Sequence, residues 1–115
     1  YDDDYTGAAT ALSEGERLCS ALGDKHTLFM KNHGILVTGS TVAEAYHRLY
    51  FLERICRTQM LAMATGRVVV PIADEIIQKS QESAANDPHS RTRRVNLFFE
   101  AMKRILDREM PGYAD

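Results

Sequence analysis

The chain has 115 residues, 44% of them hydrophobic and 26% charged, with a formal net charge of -2. That composition is ordinary for a soluble globular protein, and its length admits one domain or a piece of a larger one. The near-neutral charge speaks against nucleic-acid binding driven by a basic surface, and no run of eighteen apolar residues or signal peptide supports a membrane or export assignment.

The sequence opens at Tyr1 without an initiator methionine, so a processed, truncated or excised chain is expected. Asp2, Asp3 and Asp4 are consecutive. Three carboxylates can coordinate a divalent cation, but no EF-hand glycine or distal glutamate follows, and a solvated loop entering a helix is the favoured reading. Ala8 to Leu22 then reads as a helix with Ala11, Leu12, Leu18, Cys19 and Leu22 on its apolar stripe. Gly23 is suited to the left-handed position after it.

Thr27–Lys31 and Ile35–Thr38 read as two apolar strands about an Asn32-His33-Gly34 bend. The continuous apolar run through Phe29 and Met30 suggests a strand covered on both faces. Gly34 and Gly39 bracket the second strand, each available for a positive φ or a close backbone approach. Thr41-Val42-Ala43-Glu44 fits a capping box, opening a helix that runs to about Thr65 and is closed by Gly66. At 1.5 Å per residue this is a rod of about 36 Å. Val42, Ala45, Tyr46, Leu49, Leu52, Cys56, Gln59, Met60 and Met63 recur at helical spacing and predict one buried face.

Arg67 to Val70 reads as a short extended piece stopped by Pro71, and Ala73 to about Ala84 as a modest helix with Ile76 and Ile77 inward. Asp87 and Pro88 suit the cap and first turn of a last helix, about His89 to Arg108. Val95, Phe98, Phe99, Met102, Ile105 and Leu106 line its apolar face. Pro111-Gly112 breaks it, leaving the tail Tyr113-Ala114-Asp115. Cys19 and Cys56 fall on apolar helical positions and read as buried reduced thiols. No Cys-x-x-Cys pair suggests zinc.

By spacing alone, His33 is a hydrogen-bonded turn residue, a metal ligand or a general base, and the first is favoured. One imidazole cannot hold catalytic zinc, which normally takes three protein ligands. His26 lies in a turn and His47 on the expected exposed side of the long helix, so a self-contained site of these three is disfavoured.

The run Lys31-Asn32-His33-Gly34-Ile35-Leu36-Val37-Thr38-Gly39, followed by Glu44-Ala45 and Leu52-Glu53-Arg54, resembles the second half of the class II aldolase/adducin-like family. The likeness spans about Ala8 to Gly66, and Pro111-Gly112-Tyr113 loosely resembles the adducin-like branch. It implies that residues 1–115 are the C-terminal portion of such a domain. The implied fold is α/β, a layered α/β/α arrangement with a mostly antiparallel sheet crossed by the long helix. It also implies that His33 is one of three imidazoles on a divalent metal, usually zinc. The remaining ligands, a His-x-His pair, and an acid/base carboxylate belong to an earlier half with no counterpart here.

The implied parent is a metal-dependent lyase that cleaves a carbon–carbon bond in a small hydroxy-carbonyl or carboxylate substrate through a metal-stabilised enediolate. Decarboxylation or epimerisation draws on the same stabilisation. This chain would be inactive alone. Reduced thiols suit a cytoplasmic protein, and the resemblance further implies a homo-oligomer, a tetramer, in which Tyr113 is lent to a neighbouring subunit as a proton donor; a frayed terminal tyrosine is the simpler reading. Asn32 would orient the loop, and Gly34 would let the backbone pass near the metal. Arg91, Arg93 and Arg94 suggest a solvated face before an anion site, and Glu53 and Arg54 suggest surface ion pairs. The alternative to the enzyme is a non-catalytic adducin-like interaction module.

Overall fold

The computed structural model describes residues 1–4 and 12–113, so the expected helical start at Ala8 to Ala11 and the tail residues Ala114 and Asp115 lie outside the described residues. The observed elements are α1 (Leu12–Leu22), β1 (Thr27–Met30), β2 (Gly34–Val37), α2 (Val42–Ala64), α3 (Asp74–Ala85) and α4 (Pro88–Glu109). They fall into two compact units, Tyr1–Ala45 and Tyr46–Asp115, with the boundary inside α2.

In the first unit, β1 and β2 pair antiparallel, with Thr27 opposite Val37, Leu28 opposite Leu36, Phe29 opposite Ile35 and Met30 opposite Gly34. Thr38 N–H donates to His26 O at 2.9 Å and extends the ladder at its open end. Leu28, only 2% exposed, is the buried centre of the pair. The bend takes its positive φ at Asn32 (57°), not at Gly34 or Gly39. Asparagine tolerates the left-handed region because its short polar side chain suits it. Gly39 serves the other glycine purpose, close backbone approach. α1 ends at Gly23, φ 58°, whose N–H donates to Cys19 O at 2.9 Å.

The opening residues depart from the solvated loop that the sequence suggests. Asp2 forms a parallel bridge to Met30 on the free edge of β1 and is 4% exposed. Ion pairing accounts for the difference, since Arg17 on α1 supplies the charge that makes burial of this carboxylate tolerable. Tyr1 stacks on Phe29, centroids 5.3 Å apart.

The cap of α2 also differs in detail. Thr41 Oγ1 accepts the Glu44 N–H at 3.1 Å as a capping box requires. Glu44 reaches back to Ser40 instead of Thr41, accepting its N–H at 2.9 Å and its hydroxyl at 2.5 Å.

In the second unit, α3 and α4 pack together, and Val95 is the buried apolar residue, 6% exposed. Asp87 Oδ1 accepts Ser90 N–H at 2.9 Å, and Pro88 occupies the first turn of α4, as expected. The predicted buried face of the long helix is covered only in part: α2 has no fully buried residue among those described, Ala45, Leu52 and Cys56 are half-buried, and Leu49, Met60 and Met63 are exposed. An apolar stripe is buried only where another element meets it. Val68 and Val70 are likewise exposed, and the Arg67–Val70 piece pairs with no strand among the described residues. Cys19 is exposed and Cys56 half-buried, both free, so the expected burial fails for Cys19 and is only partial for Cys56. No described helix is long and apolar enough to cross a membrane.

Candidate functional site: the Asn-His-Gly bend

His33 lies in the bend between β1 and β2, and its side chain is exposed. Its backbone is held from several sides. His33 N–H donates to Met30 O at 3.1 Å, and the neighbouring Lys31 N–H donates to Asp2 O at 2.9 Å. Asn32 turns the chain at φ 57°. A Cβ placed on Gly34 would meet nothing within 4 Å, so the space beside the bend is open. The strands therefore fix the main chain while the imidazole faces outward, an arrangement suited to a ligand or a proton carrier.

The support behind the bend is a set of charged groups that sequence reasoning missed. Arg17 Nη1 and Nη2 donate to Asp2 Oδ1 and Oδ2 at 2.7 and 2.8 Å. Arg17 also donates to both Glu14 oxygens, at 2.8 and 2.7 Å. The Arg17 hydrogen bonds lower the pKa of Asp2 and of Glu14, with burial opposing them. Glu14 and then Asp2 raise that of Arg17. The missed signal was the i, i+3 spacing of Glu14 and Arg17, which placed one basic group and its partner on the same helix face.

The other candidates are placed elsewhere. His26 is exposed, and its carbonyl accepts from Thr38. His47, expected on the exposed side of the long helix, is half-buried in an aromatic cluster of the second unit. Its ring lies 4.6 Å from Phe51 and 5.3 Å, edge-on, from Phe98. Burial and then the charges of Arg94 and Arg91 lower its pKa.

Arg54 lies over the Tyr50 ring at 4.4 Å and donates to the Tyr50 hydroxyl. It thus acts through an aromatic neighbour, not through the surface ion pair expected. Tyr113 folds back on its own helix, its hydroxyl donating to Asp107 Oδ1 at 2.9 Å. That bond raises its pKa. It borders a groove of 420 Å³ lined mainly by Tyr46, Phe99, Met102 and Leu106, with Lys103 at the edge.

Among the described residues, no three His, Cys, Asp or Glu side chains gather to hold a metal ion. His33 suits the role of one nitrogen donor, and the described residues do not make a complete site around it.

A strand pair that presents a histidine from an Asn-His-Gly bend, followed by a capped long helix, defines a class, and sequence comparison agrees. The family model for the class II aldolase and adducin N-terminal domain matches residues 1–60, and the chain belongs to that family. It is similar to a "Putative aldolase class 2 protein" of Caulobacter vibrioides, 39% identical over 112 residues, covering 97% of this chain and 43% of the relative. An aldolase II superfamily protein from Pseudomonas syringae matches its fold at a TM-score of 0.75 with 37% identity, over 96% of this chain and 43% of the other. Human beta-adducin is 25% identical over 118 residues, 90% of this chain and 16% of the relative. The chain thus spans less than half the length of the curated relatives it matches.

Proposed function

We propose that this chain is the C-terminal portion of a class II aldolase-type domain whose full fold is a layered α/β/α structure with a mostly antiparallel sheet. In that reading the whole protein is a metal-dependent lyase, and His33 donates one of its metal ligands. The observation that supports it is the presentation of His33: an exposed imidazole on a bend whose main chain is bonded on both sides.

A divalent metal, zinc in this reading, supplies positive charge that lowers the cost of developing negative charge on a substrate oxygen. The substrate class is a small hydroxy-carbonyl or carboxylate compound, and the reaction is aldol cleavage, with decarboxylation or epimerisation as related outcomes. The chain's own residues have simpler duties. Asn32 and Gly34 shape the bend, and the two strands hold His33 against recoil. Tyr113, released from Asp107, would lend a proton-donating phenol to a neighbouring subunit of a cytoplasmic homo-oligomer, a tetramer. The 115-residue chain alone is inactive, because catalytic zinc needs more protein donors than His33 supplies.

The test is the metal content of the full-length protein, wild type and His33→Ala, beside the 115-residue chain. Stoichiometric zinc lost in the variant, and absent from the short chain, supports the reading. Zinc retained in His33→Ala removes it.

One observation favours a second reading, a non-catalytic adducin-like interaction module. The apolar residues Leu49, Met60 and Met63, at helical spacing on α2, are exposed, and a face of that kind suits a protein partner. In that case His33→Ala leaves assembly and metal content unchanged, whereas Met60→Glu disrupts assembly.

A further inference from the structure

We propose that Asp2 is a positioning residue for His33: gripped by Arg17, it clamps the opening residues along the free edge of β1 and thereby fixes the bend that presents the imidazole. The inference rests on reading His33 as a functional donor and adds to it what holds that donor in place.

The geometry converges on one end of one strand. Asp2 N–H donates to Phe29 O at 2.8 Å, and Asp2 O accepts Lys31 N–H at 2.9 Å, so the Asp2 main chain brackets Met30. Met30 O in turn accepts the His33 N–H, and Met30 pairs with Gly34 across the hairpin. The last residue of β1 is therefore held on both edges, immediately before the bend. Among the described residues, the far end of β1, at Thr27, receives no comparable bridge from the opening segment.

The side chain explains why the clamp is directional. Both Asp2 oxygens are engaged by the two terminal nitrogens of Arg17, and Oδ1 also accepts the Asp4 N–H at 3.2 Å. A two-point guanidinium–carboxylate contact fixes orientation as well as distance. Arg17 cannot swing freely, because Glu14 holds it from the same helix. The Lys31–Asp3 pair at 3.6 Å is exposed on both sides and adds little.

The experiment compares wild type, Asp2→Asn and Arg17→Lys in the full-length protein by amide hydrogen exchange and zinc affinity. Asp2→Asn is expected to speed exchange at Lys31 and His33 by about tenfold or more, while the Thr38 amide at the hairpin's open end stays within about twofold. Zinc affinity should fall by about tenfold, the scale of outer supports for metal ligands. Arg17→Lys should move both in the same direction by less.

Equal acceleration at Lys31, His33 and Thr38 would make Asp2 a general stabiliser and overturn the proposal. So would loosened Lys31 with His33 exchange and zinc affinity both unchanged. If His33→Ala binds zinc as wild type does, the donor reading falls by itself, and the exchange pattern still decides whether Asp2 sets the bend.

Discussion

Gly39 lies so close to Ala45 that a Cβ built on it would stand 2.6 Å from the Ala45 nitrogen and 3.1 Å from its Cα. The obstacle is the main chain of the first turn of α2, which no side-chain rotation can clear. Gly39→Ala should therefore force the end of the hairpin away from the helix start. The expected loss is about 2 kcal/mol, typical of overpacking a filled site, and about 10 °C in melting temperature. Thermal unfolding followed by circular dichroism checks this. A melting point within a degree or so of wild type would show that the two segments separate at no cost.

The aromatic cluster around His47 predicts an acid limit. Burial, then Arg94 and Arg91, hold its pKa below the ordinary histidine value, so the folded chain prefers the neutral ring. As pH falls below about 6.5 the unfolded chain takes up this proton first. Stability is then lost until pH passes the lower value of the folded state. Urea denaturation between pH 7.5 and 5 should show this loss, and His47→Gln should reduce it. An equal slope in the variant would show that His47 does not set the acid limit.

Much of the local structure could be read from residue chemistry, because its causes are local. Gly23 and Gly66 both carry positive φ after their helices, and Asp87 caps α4 as its position suggested. The bend is legible from its residues, but its left-handed residue is Asn32; Asn32 and Gly34, on either side of His33, both tolerate positive φ, and composition does not choose between them. What could not be read depends on partners distant in sequence. Asp2 looked solvated because Arg17, fifteen residues on, supplies its counter-charge. Periodicity along α2 marks which residues are apolar, not what covers them, and the described residues leave Leu49, Met60 and Met63 of that stripe exposed. His47 follows the same rule: its cluster is completed by Phe98 from α4, distant in sequence.

The N-cap of α4 offers a compact check on the second unit. Asp87 Oδ1 takes the Ser90 N–H, satisfying one of the helix's otherwise unpaired first-turn donors. Asp87→Ala should cost about 1 kcal/mol, and Asp87→Asn, which keeps the acceptor, much less. Chemical denaturation of the three proteins side by side measures both. Equal losses for Ala and Asn would assign the effect to the carboxylate charge at the helix start instead of the hydrogen bond.

Tyr113 and Asp107 bear directly on whether this phenol can serve a neighbouring subunit. The hydroxyl donates to Asp107 Oδ1 at 2.9 Å. That hydrogen bond, then burial and the charge of Asp107, raise the phenol pKa against the opposing pull of Lys103. The bond stabilises the protonated form because a phenolate has no proton to donate, and the adjacent carboxylate then repels it. Asp107→Ala should bring the Tyr113 titration down towards about 10. The chain has five tyrosines, so the ring-carbon NMR signal of Tyr113, assigned by its loss in Tyr113→Phe, is the suitable readout. A titration unmoved by Asp107→Ala would mean the tail does not rest on its own helix in solution. A lowered midpoint would establish that Asp107 holds the Tyr113 hydroxyl on its own helix in solution.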